Sequence, residues 1–412
     1  MHPRSRALPL VLMSFVAVAC GGAQPAPPPD AMAQRIDAVI DRAIADERVV
    51  GAVVMVARGG EVVYHRAAGL ADRESARPMR EDSIVLFSSV TKPIVSAAAL
   101  ALIDAGRLGL DDPVTRWLPD FRPKLPDGRE PVITVRHLLT HTAGLSYPFF
   151  EKEGGPYHKA AVSNGFDQPG LSFQENARRL ASVPLLYEPG TGWSYSLATD
   201  VLGEIVARAG GGTLPEVVKR TVTEPLGLRD TAFAVTDRQR LATPYADARP
   251  RPARMSADYS LAFGASALRY APARIFDPAS YPSGGAGMAG TAGDFLRFLE
   301  ALRAGGAPIL KTATVREMSR NQVGKLAKSS LGPGWGFGLG FSVLEDPVAA
   351  KVPLSAGSWR WGGVYGHTWW VDPAQRLSVV IITNTGVEGM SGAFSSDIAS
   401  AVYGSPVAAA AR

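Results

Sequence analysis

A serine and a lysine stand three residues apart where a long apolar stretch begins. Residues 87–92 read Phe-Ser-Ser-Val-Thr-Lys and lead directly into Pro93-Ile-Val-Ser-Ala-Ala-Ala-Leu-Ala-Leu-Ile103. Residues three apart share one face of a helix, so Ser89 and Lys92 can lie side by side at its first turn, next to the free N–H groups. The Ala-rich helix that ends at Gly106 is too apolar to be exposed, and we expect it in a core.

Such a pair can form an activated nucleophile. A serine hydroxyl needs a base within hydrogen-bond reach, and a lysine can be that base if its surroundings leave it neutral part of the time. The same spacing also occurs between solvated side chains on a helix surface. Two observations favour the nucleophile: no other lysine in the chain has a serine three residues before it, and the flanking helix is apolar.

Further short motifs follow the Ser89 segment in a fixed order. They are Leu110-Asp-Asp-Pro113 with Trp117-Leu-Pro119, Thr134-Val-Arg-His-Leu-Leu-Thr-His-Thr-Ala-Gly-Leu145, Pro189-Gly-Thr-Gly-Trp-Ser-Tyr195-Ser, Gly287-Met-Ala-Gly-Thr291-Ala-Gly-Asp294 and Trp361-Gly-Gly363-Val-Tyr-Gly366. With these motifs the chain resembles the serine β-lactamase and penicillin-binding-protein superfamily, in its class C-like branch and, within that, the family VIII carboxylesterases. The resemblance covers nearly all of the chain after residue 30. It implies an α/β (α+β) β-lactamase/transpeptidase-like fold, with an antiparallel sheet flanked by helices and an all-helical lobe.

The hydrophobic pattern along the chain is consistent with that fold. A helix with an apolar stripe is predicted after Asp30, and Gly59-Gly60 predicts a tight hairpin between strands at 52–58 and 61–66. Later segments are predicted as a helix at 291–302, strands at 338–343, 361–372 and 377–383, and a final helix at about 392–403. We therefore predict one domain over residues 31–404, whose sheet lobe is formed by about 31–87 and 331–404 and whose helical lobe is formed by about 88–330.

The resemblance implies the roles of the catalytic groups. Tyr195 stands at the family's second catalytic element, and it would share general base and acid work with Lys92 around Ser89. A nearby cation stabilises a phenolate, so either Lys92 or Tyr195 can be the first base. The oxyanion would be bound by the backbone N–H groups of Ser89 and Val364.

Two departures from the penicillin-recognising pattern concern specificity. The family's Tyr-x-Asn is replaced by Tyr195-Ser196-Leu197, so the amide that would hold an acylamino side chain is absent. The family's Lys-Thr-Gly is replaced by Trp361-Gly362-Gly363, so an indole stands where a cation would bind a carboxylate. These changes predict a site for neutral acyl groups, lined by Trp361, Gly362 and Gly363 and by the aromatic residues Tyr147, Phe149 and Phe150.

Other candidate chemistries are weaker. His137 and His141 have the i, i+4 spacing of a metal pair, but no acidic residue follows His137 as the H-E-x-x-H pattern requires, so we predict structural roles and no metal. No G-x-S-x-G elbow is present. His367 follows the strand at Trp361 and could touch a substrate, although a satisfied structural histidine is the simpler interpretation. Trp335, Trp359, Trp369 and Trp370 are interpreted largely as packing residues.

The N-terminus has the features of an export signal. Arg4 and Arg6 precede a short apolar run over residues 8–17, which predicts a signal peptide over residues 1–19. Cys20 is the only cysteine of the chain and follows that run directly, as in an acylated bacterial lipoprotein, with residues 20–30 as a flexible tether. Cleavage after Ala17-Val-Ala19 by an ordinary signal peptidase, which would leave a free thiol, is the alternative.

Composition restricts the remaining functions. The net charge of +5 comes from basic residues scattered along the chain, so no nucleic-acid partner is predicted, and no cofactor is predicted either. We predict an exported serine hydrolase of the periplasm or cell envelope that cleaves small-molecule carboxylic esters through an acyl-serine intermediate and attaches to the membrane through its lipidated N-terminus. The alternatives are a class C-type β-lactamase or D-alanyl-D-alanine carboxypeptidase, and a non-catalytic cell-envelope binding protein.

Overall fold

A computed structural model describes residues 29–264 and 266–405. The predicted signal peptide, Cys20 and the predicted tether up to residue 28 lie outside the described residues. The first helix begins at Pro29, so it includes the last two residues of the predicted tether.

The described residues form helices and strands joined by turns and loops. The helices are α1 (Pro29–Ala45), α2 (Thr91–Asp104), α3 (Val135–Leu139), α4 (Pro156–Lys159), α5 (Phe173–Ala181), α6 (Ala198–Gly210), α7 (Leu214–Val218), α8 (Ala292–Arg303), α9 (Thr312–Met318), α10 (Lys328–Leu331), α11 (Pro347–Ala350), α12 (Gly386–Ser391) and α13 (Ala393–Tyr403). The strands are β1 (Gly51–Arg58), β2 (Glu61–Asp72), β3 (Arg77–Pro78), β4 (Val85–Leu86), β5 (Tyr245–Ala246), β6 (Ala253–Arg254), β7 (Tyr259–Phe263), β8 (Ser266–Tyr270), β9 (Ala289–Gly290), β10 (Trp335–Phe337), β11 (Ser342–Leu344), β12 (Trp359–Gly363), β13 (His367–Asp372) and β14 (Leu377–Thr383).

One large antiparallel sheet joins the two ends of the chain. Its strand order is β10-β11-β12-β13-β14-β1-β2-β3, and β1 pairs with β14 from Ala52↔Thr383 to Arg58↔Leu377. The hairpin between β1 and β2 turns at Gly59 and Gly60, both at positive φ, as the Gly-Gly pair predicted. The predicted architecture of an antiparallel sheet flanked by helices is therefore confirmed.

The sheet is covered on both faces, because alternate residues of its strands enter two different cores. Val53 and Met55 of β1 pack into the core that contains α2 and α8, whereas Val54 and Val56 pack into the core beneath α1 and α13. α2 is buried along almost its whole length and packs against α6, as its apolar sequence predicted. The catalytic candidates lie on the α2 face of the sheet.

Two strand predictions were wrong in detail. The segment predicted as one strand at 338–343 contains a turn, closed by the Gly338 N–H bond to the Phe341 carbonyl, between β10 and β11. The segment predicted at 361–372 is likewise two strands, β12 and β13, because the chain reverses after Gly363. Glycines at both turns permit reversals that an apolar pattern alone does not reveal. Among the described helices, none is long and apolar enough to cross a membrane.

Candidate active site

Ser89 lies in a tight turn immediately before α2. Residues Ser88–Val90 form one turn of 3-10 helix, and the Phe87 N–H bonds to the Met288 carbonyl at 2.8 Å. Ser88 is fully buried and has φ +47°, a left-handed conformation that costs a non-glycine residue about 1–2 kcal/mol. The packing around the turn must hold Ser88 in this conformation. This turn presents the Ser89 hydroxyl to a cavity.

Lys92 is buried in the first turn of α2 and uses all three donors of its ammonium group. Its Nζ donates to Ser89 Oγ at 3.3 Å, to the Tyr147 hydroxyl at 2.9 Å and to the Gly285 carbonyl at 2.8 Å. The predicted juxtaposition of Ser89 and Lys92 is therefore present. The Tyr147 contact was not anticipated, because the sequence pattern suggested only a pocket wall at that residue.

Tyr195 completes the cluster around Ser89. Its hydroxyl lies 2.7 Å from Ser89 Oγ and also accepts a hydrogen bond from Trp361 Nε1 at 3.3 Å. Lys92 Nζ lies 4.7 Å from the centre of the Tyr195 ring. Ser89 Oγ is thus flanked by two groups that can exchange protons with it.

The titratable neighbours of Lys92 are held in defined protonation states. Burial raises the pKa of Tyr147 well above its usual range, and nearby Tyr195 and Asp200 add to this effect, so Tyr147 remains a neutral phenol. Burial and the charge of Lys92 lower the pKa of His141 well below its usual value, so its imidazole is neutral. Burial also raises the pKa of Asp200, whose Oδ1 accepts a 2.6 Å bond from Ser283.

The sequence did not predict the supporting groups of this cluster. Gly285 and Asp200 lie far from Lys92 in the chain, yet a Cβ added at Gly285 would lie 2.4 Å from Asp200 Oδ2 and 3.2 Å from Lys92 Nζ. Gly285 therefore permits the close approach of the lysine and the buried carboxyl group. No local pattern in the sequence signals this contact.

Ser89 opens into a cavity of about 920 Å³. Of the predicted wall residues, the structure places Tyr147, Phe149, Phe150, Trp361 and Gly362 in its lining. Phe150 is 48% exposed and stands at the mouth, whereas Tyr147 is 2% exposed and reaches the cavity beside Lys92. The wall around Ser89 is largely aromatic.

Gly363 differs from the other predicted wall residues. A Cβ at this position would lie 2.3 Å from the Phe87 carbonyl oxygen, so the glycine allows β12 to pack directly on the Ser89 turn and leaves no room for substrate there. The next residue, Val364, does line the cavity. Its N–H donates to no group within the described chain, and its carbonyl accepts from the Tyr270 hydroxyl at 3.2 Å.

Several other candidate residues are structural. His367 is buried, its Nε2 contacts the Leu86 carbonyl at 2.8 Å, and burial lowers its pKa to about 4. His137 belongs to the capping box of α3, and His141 lies beyond the end of that helix and contacts Ser196 Oγ at 3.1 Å. The two histidines therefore do not share a helical face. Among the described residues, no group of three or more potential ligands could hold a metal ion.

Some of the tryptophans border the cavity, whereas others, and Leu197, do not. Trp359 and Trp369 are core residues, whereas Trp335 and Trp370, although buried, border the cavity. Leu197 is fully buried ahead of α6, so the position of the missing amide contributes no surface to the cavity.

Comparison with known proteins gives consistent matches over most of the chain. The family described as Beta-lactamase matches residues 36–399. The chain is 51% identical to esterase EstB of Burkholderia gladioli over 375 residues, which cover 90% of this chain and 95% of that protein. It is 28% identical to a lovastatin esterase of Penicillium rubens over 378 residues, which cover 83% of this chain and 90% of that protein. The solved structure of EstCE1, a hydrolase with promiscuous acyltransferase activity, superposes with a TM-score of 0.89 at 45% identity and covers 91% of this chain and 99% of that one.

Proposed function

This chain belongs to the β-lactamase family, and we propose that it is an exported serine hydrolase that cleaves carboxylic esters through an acyl intermediate on Ser89. Its similarity to an esterase extends over nine-tenths of its length, and it is a carboxylesterase of β-lactamase fold. The mechanism, the catalytic residues and the location of the enzyme are our proposals. The observation that carries the mechanism is that Ser89 Oγ contacts both Lys92 Nζ and the Tyr195 hydroxyl.

In acylation, Ser89 Oγ attacks the ester carbonyl while its proton passes to the pair formed by Lys92 and Tyr195. Either member can take the proton: Tyr195 as a phenolate beside a charged Lys92, or Lys92 as a free amine beside a Tyr195 phenol. The same pair then returns the proton to the departing alcohol.

The negative charge that develops on the carbonyl oxygen needs preorganised donors. We assign this role to the backbone N–H groups of Ser89 and Val364. The close packing of Gly363 on the Phe87 carbonyl, which brings the end of β12 next to the Ser89 turn, and the unused N–H of Val364 support the assignment. In deacylation, a water from the cavity attacks the acyl carbonyl and gives a proton to the Lys92 and Tyr195 pair. The bond between the acyl group and Ser89 Oγ then breaks, the acid leaves, and the pair returns the proton to Ser89 Oγ.

The substrates we propose are small neutral esters. The aromatic wall around Ser89 offers apolar contacts. Trp361 takes the place of the lysine of the family's Lys-Thr-Gly motif, so that cation is absent. A carboxylate buried against this wall without a partner would cost several kcal/mol.

The sequence motifs alone also allow a class C-type β-lactamase or D-alanyl-D-alanine carboxypeptidase, and a binding protein that retains the fold without turnover. Labelling with a fluorophosphonate probe tests the last of these, because only an activated serine reacts rapidly with the probe. We expect one adduct per chain, located on Ser89 by peptide mass spectrometry and absent in Ser89→Ala. An unlabelled but correctly folded protein would support the binding protein and refute the proposed mechanism.

We also propose that Cys20 carries a diacylglyceryl group and that the mature enzyme partitions with membranes. One acyl chain gives only marginal anchoring, so several chains on this cysteine would be needed. Cys20→Ala should prevent lipid-dependent processing and move the protein to the soluble fraction, as measured by fractionation and by the mass of the mature N-terminus. Unchanged processing and fractionation of Cys20→Ala would refute lipid attachment and leave ordinary signal cleavage.

A further inference from the structure

The cavity that contains Ser89 continues to the opposite face of the sheet. We call this part the back lobe and define it by Trp335, Ser342, Leu354, Arg360, Trp370 and Ser396. β11 pairs with β12 only at Ser342↔Arg360 and Val343↔Trp359, so the edge of β12 beyond Arg360 is not covered by β11. Gly362 and Thr368, which pair with each other on the same face of the sheet as Arg360 and Trp370, also line the cavity. The back lobe therefore joins the Ser89 cavity around the uncovered edge of β12.

Strand register places Arg360 on the face opposite to Ser89. Arg360 pairs with Ser342 and Trp370, and directly paired residues project from the same face of a sheet. Trp370 and Trp335 belong to the core beneath α1 and α13. Trp361, one residue later, packs instead into the core of α2 and contacts Tyr195. The back lobe is thus a compartment distinct from the acyl site.

Arg360 has no acidic partner in the described chain. Its guanidinium carbon lies 3.9 Å from the centre of the Trp335 ring, and it donates no hydrogen bond and forms no ion pair among the described residues. The Arg360 side chain is exposed at the cavity, so a ligand can reach its guanidinium. A guanidinium that lines a cavity and has no partner in the protein has its N–H donors available for a bound anion.

The chemistry of the lobe restricts that anion. None of the described residues that line the back lobe is acidic, and Lys351 adds a second cation at its border. The remaining wall is largely apolar, with Leu331, Leu354 and Trp370 beside a few serine hydroxyls. A guanidinium matches the two oxygens of a carboxylate, and an apolar wall suits a hydrocarbon body.

We propose that the back lobe is a second binding site, which takes an aliphatic carboxylate, with the carboxylate on Arg360 and the hydrocarbon chain along the wall of Leu354 and Trp370. Acids of this class are released when carboxylic esters are hydrolysed. The site is separate from the acyl site and does not require turnover, so it can be tested whether or not the proposed reaction is correct.

Isothermal titration of the mature chain with octanoate tests the proposal. We expect octanoate to bind with Ser89 free or blocked by a small fluorophosphonate, and to bind more tightly than the neutral analogue octanol. Arg360→Gln should weaken octanoate binding by about tenfold or more, because a hydrogen-bonded charge pair is lost. Arg360→Lys should weaken it less, since a cation remains. Arg316→Gln, which removes an exposed charge from α9 outside the cavity lining, should leave binding unchanged.

Four results would overturn the proposal: no octanoate binding by the unmodified protein, equal binding by Arg360→Gln, loss of binding when Ser89 alone is blocked, or inorganic phosphate binding as tightly as octanoate. Thermal unfolding of each variant reports whether it is folded. If Arg360→Gln does not fold, the comparison of octanoate with octanol and the Arg360→Lys variant still decide the question.

Discussion

Replacing Ser89 by alanine is expected to abolish hydrolysis of p-nitrophenyl butyrate, and Lys92→Ala and Tyr195→Phe should each lower kcat by about 10²–10⁴-fold. The three side chains share contacts at one oxygen, Ser89 Oγ, so in the proposed mechanism each loss removes either the nucleophile or part of its proton acceptor. Because they act as a unit, the double variant of Lys92 and Tyr195 should be little worse than the poorer single variant. Steady-state rates on purified, folded variants measure this.

Two further variants calibrate the result. Tyr147→Phe removes one of the three acceptors of Lys92 and keeps the ring, so a loss of only about tenfold is expected. Ser182→Ala removes an exposed hydroxyl that bonds only to the Arg179 carbonyl, and its activity should equal that of the unmodified enzyme. If Lys92→Ala and Tyr195→Phe kept activities close to that of Ser182→Ala, the assigned roles would be wrong.

Trp361→Lys is expected to raise the kcat/KM for a cephalosporin, relative to the kcat/KM for a butyrate ester, by about ten- to a hundredfold. This is the factor that a hydrogen bond between charged groups contributes. The half-buried indole presents an apolar wall to the Ser89 cavity, and a lysine there would pair with the carboxylate that β-lactams carry. Arg360 cannot provide this cation, because it projects from the other face of β12.

Trp361→Phe is the matched control. It loses the N–H bond to Tyr195, as the lysine variant does, but it adds no cation. Its ester activity should fall while the ratio between the two substrates stays near that of the unmodified enzyme. An equal ratio in the Phe and Lys variants would show that charge at this position does not set specificity.

The sequence predicted those parts of the fold and site that depend on local patterns. The Gly59-Gly60 hairpin, the buried α2 and the meeting of Ser89, Lys92 and Tyr195 agree with the structure. The sequence did not predict that the segments 338–343 and 361–372 are each interrupted by a turn. The turns at Gly338 and after Gly363 lie within stretches whose apolar pattern is continuous.

Contacts between distant segments could not be predicted. Tyr147 was expected as a wall residue, but its hydroxyl supports Lys92, which lies 55 positions earlier in the chain. Gly363 was expected to make room for substrate, but it makes room for the Phe87 carbonyl. The unpaired state of Arg360 depends on which residues surround it after folding, and no spacing in the sequence encodes that.

The most direct test of the account is a comparison of two substrates with one preparation of the unmodified enzyme. The kcat/KM values for p-nitrophenyl butyrate and for a chromogenic cephalosporin would be measured side by side, with Ser89→Ala as the blank. We predict that the ester is hydrolysed with the higher kcat/KM and that both activities disappear in Ser89→Ala. A higher kcat/KM for the cephalosporin would contradict the proposed neutral-ester site and would favour a β-lactamase.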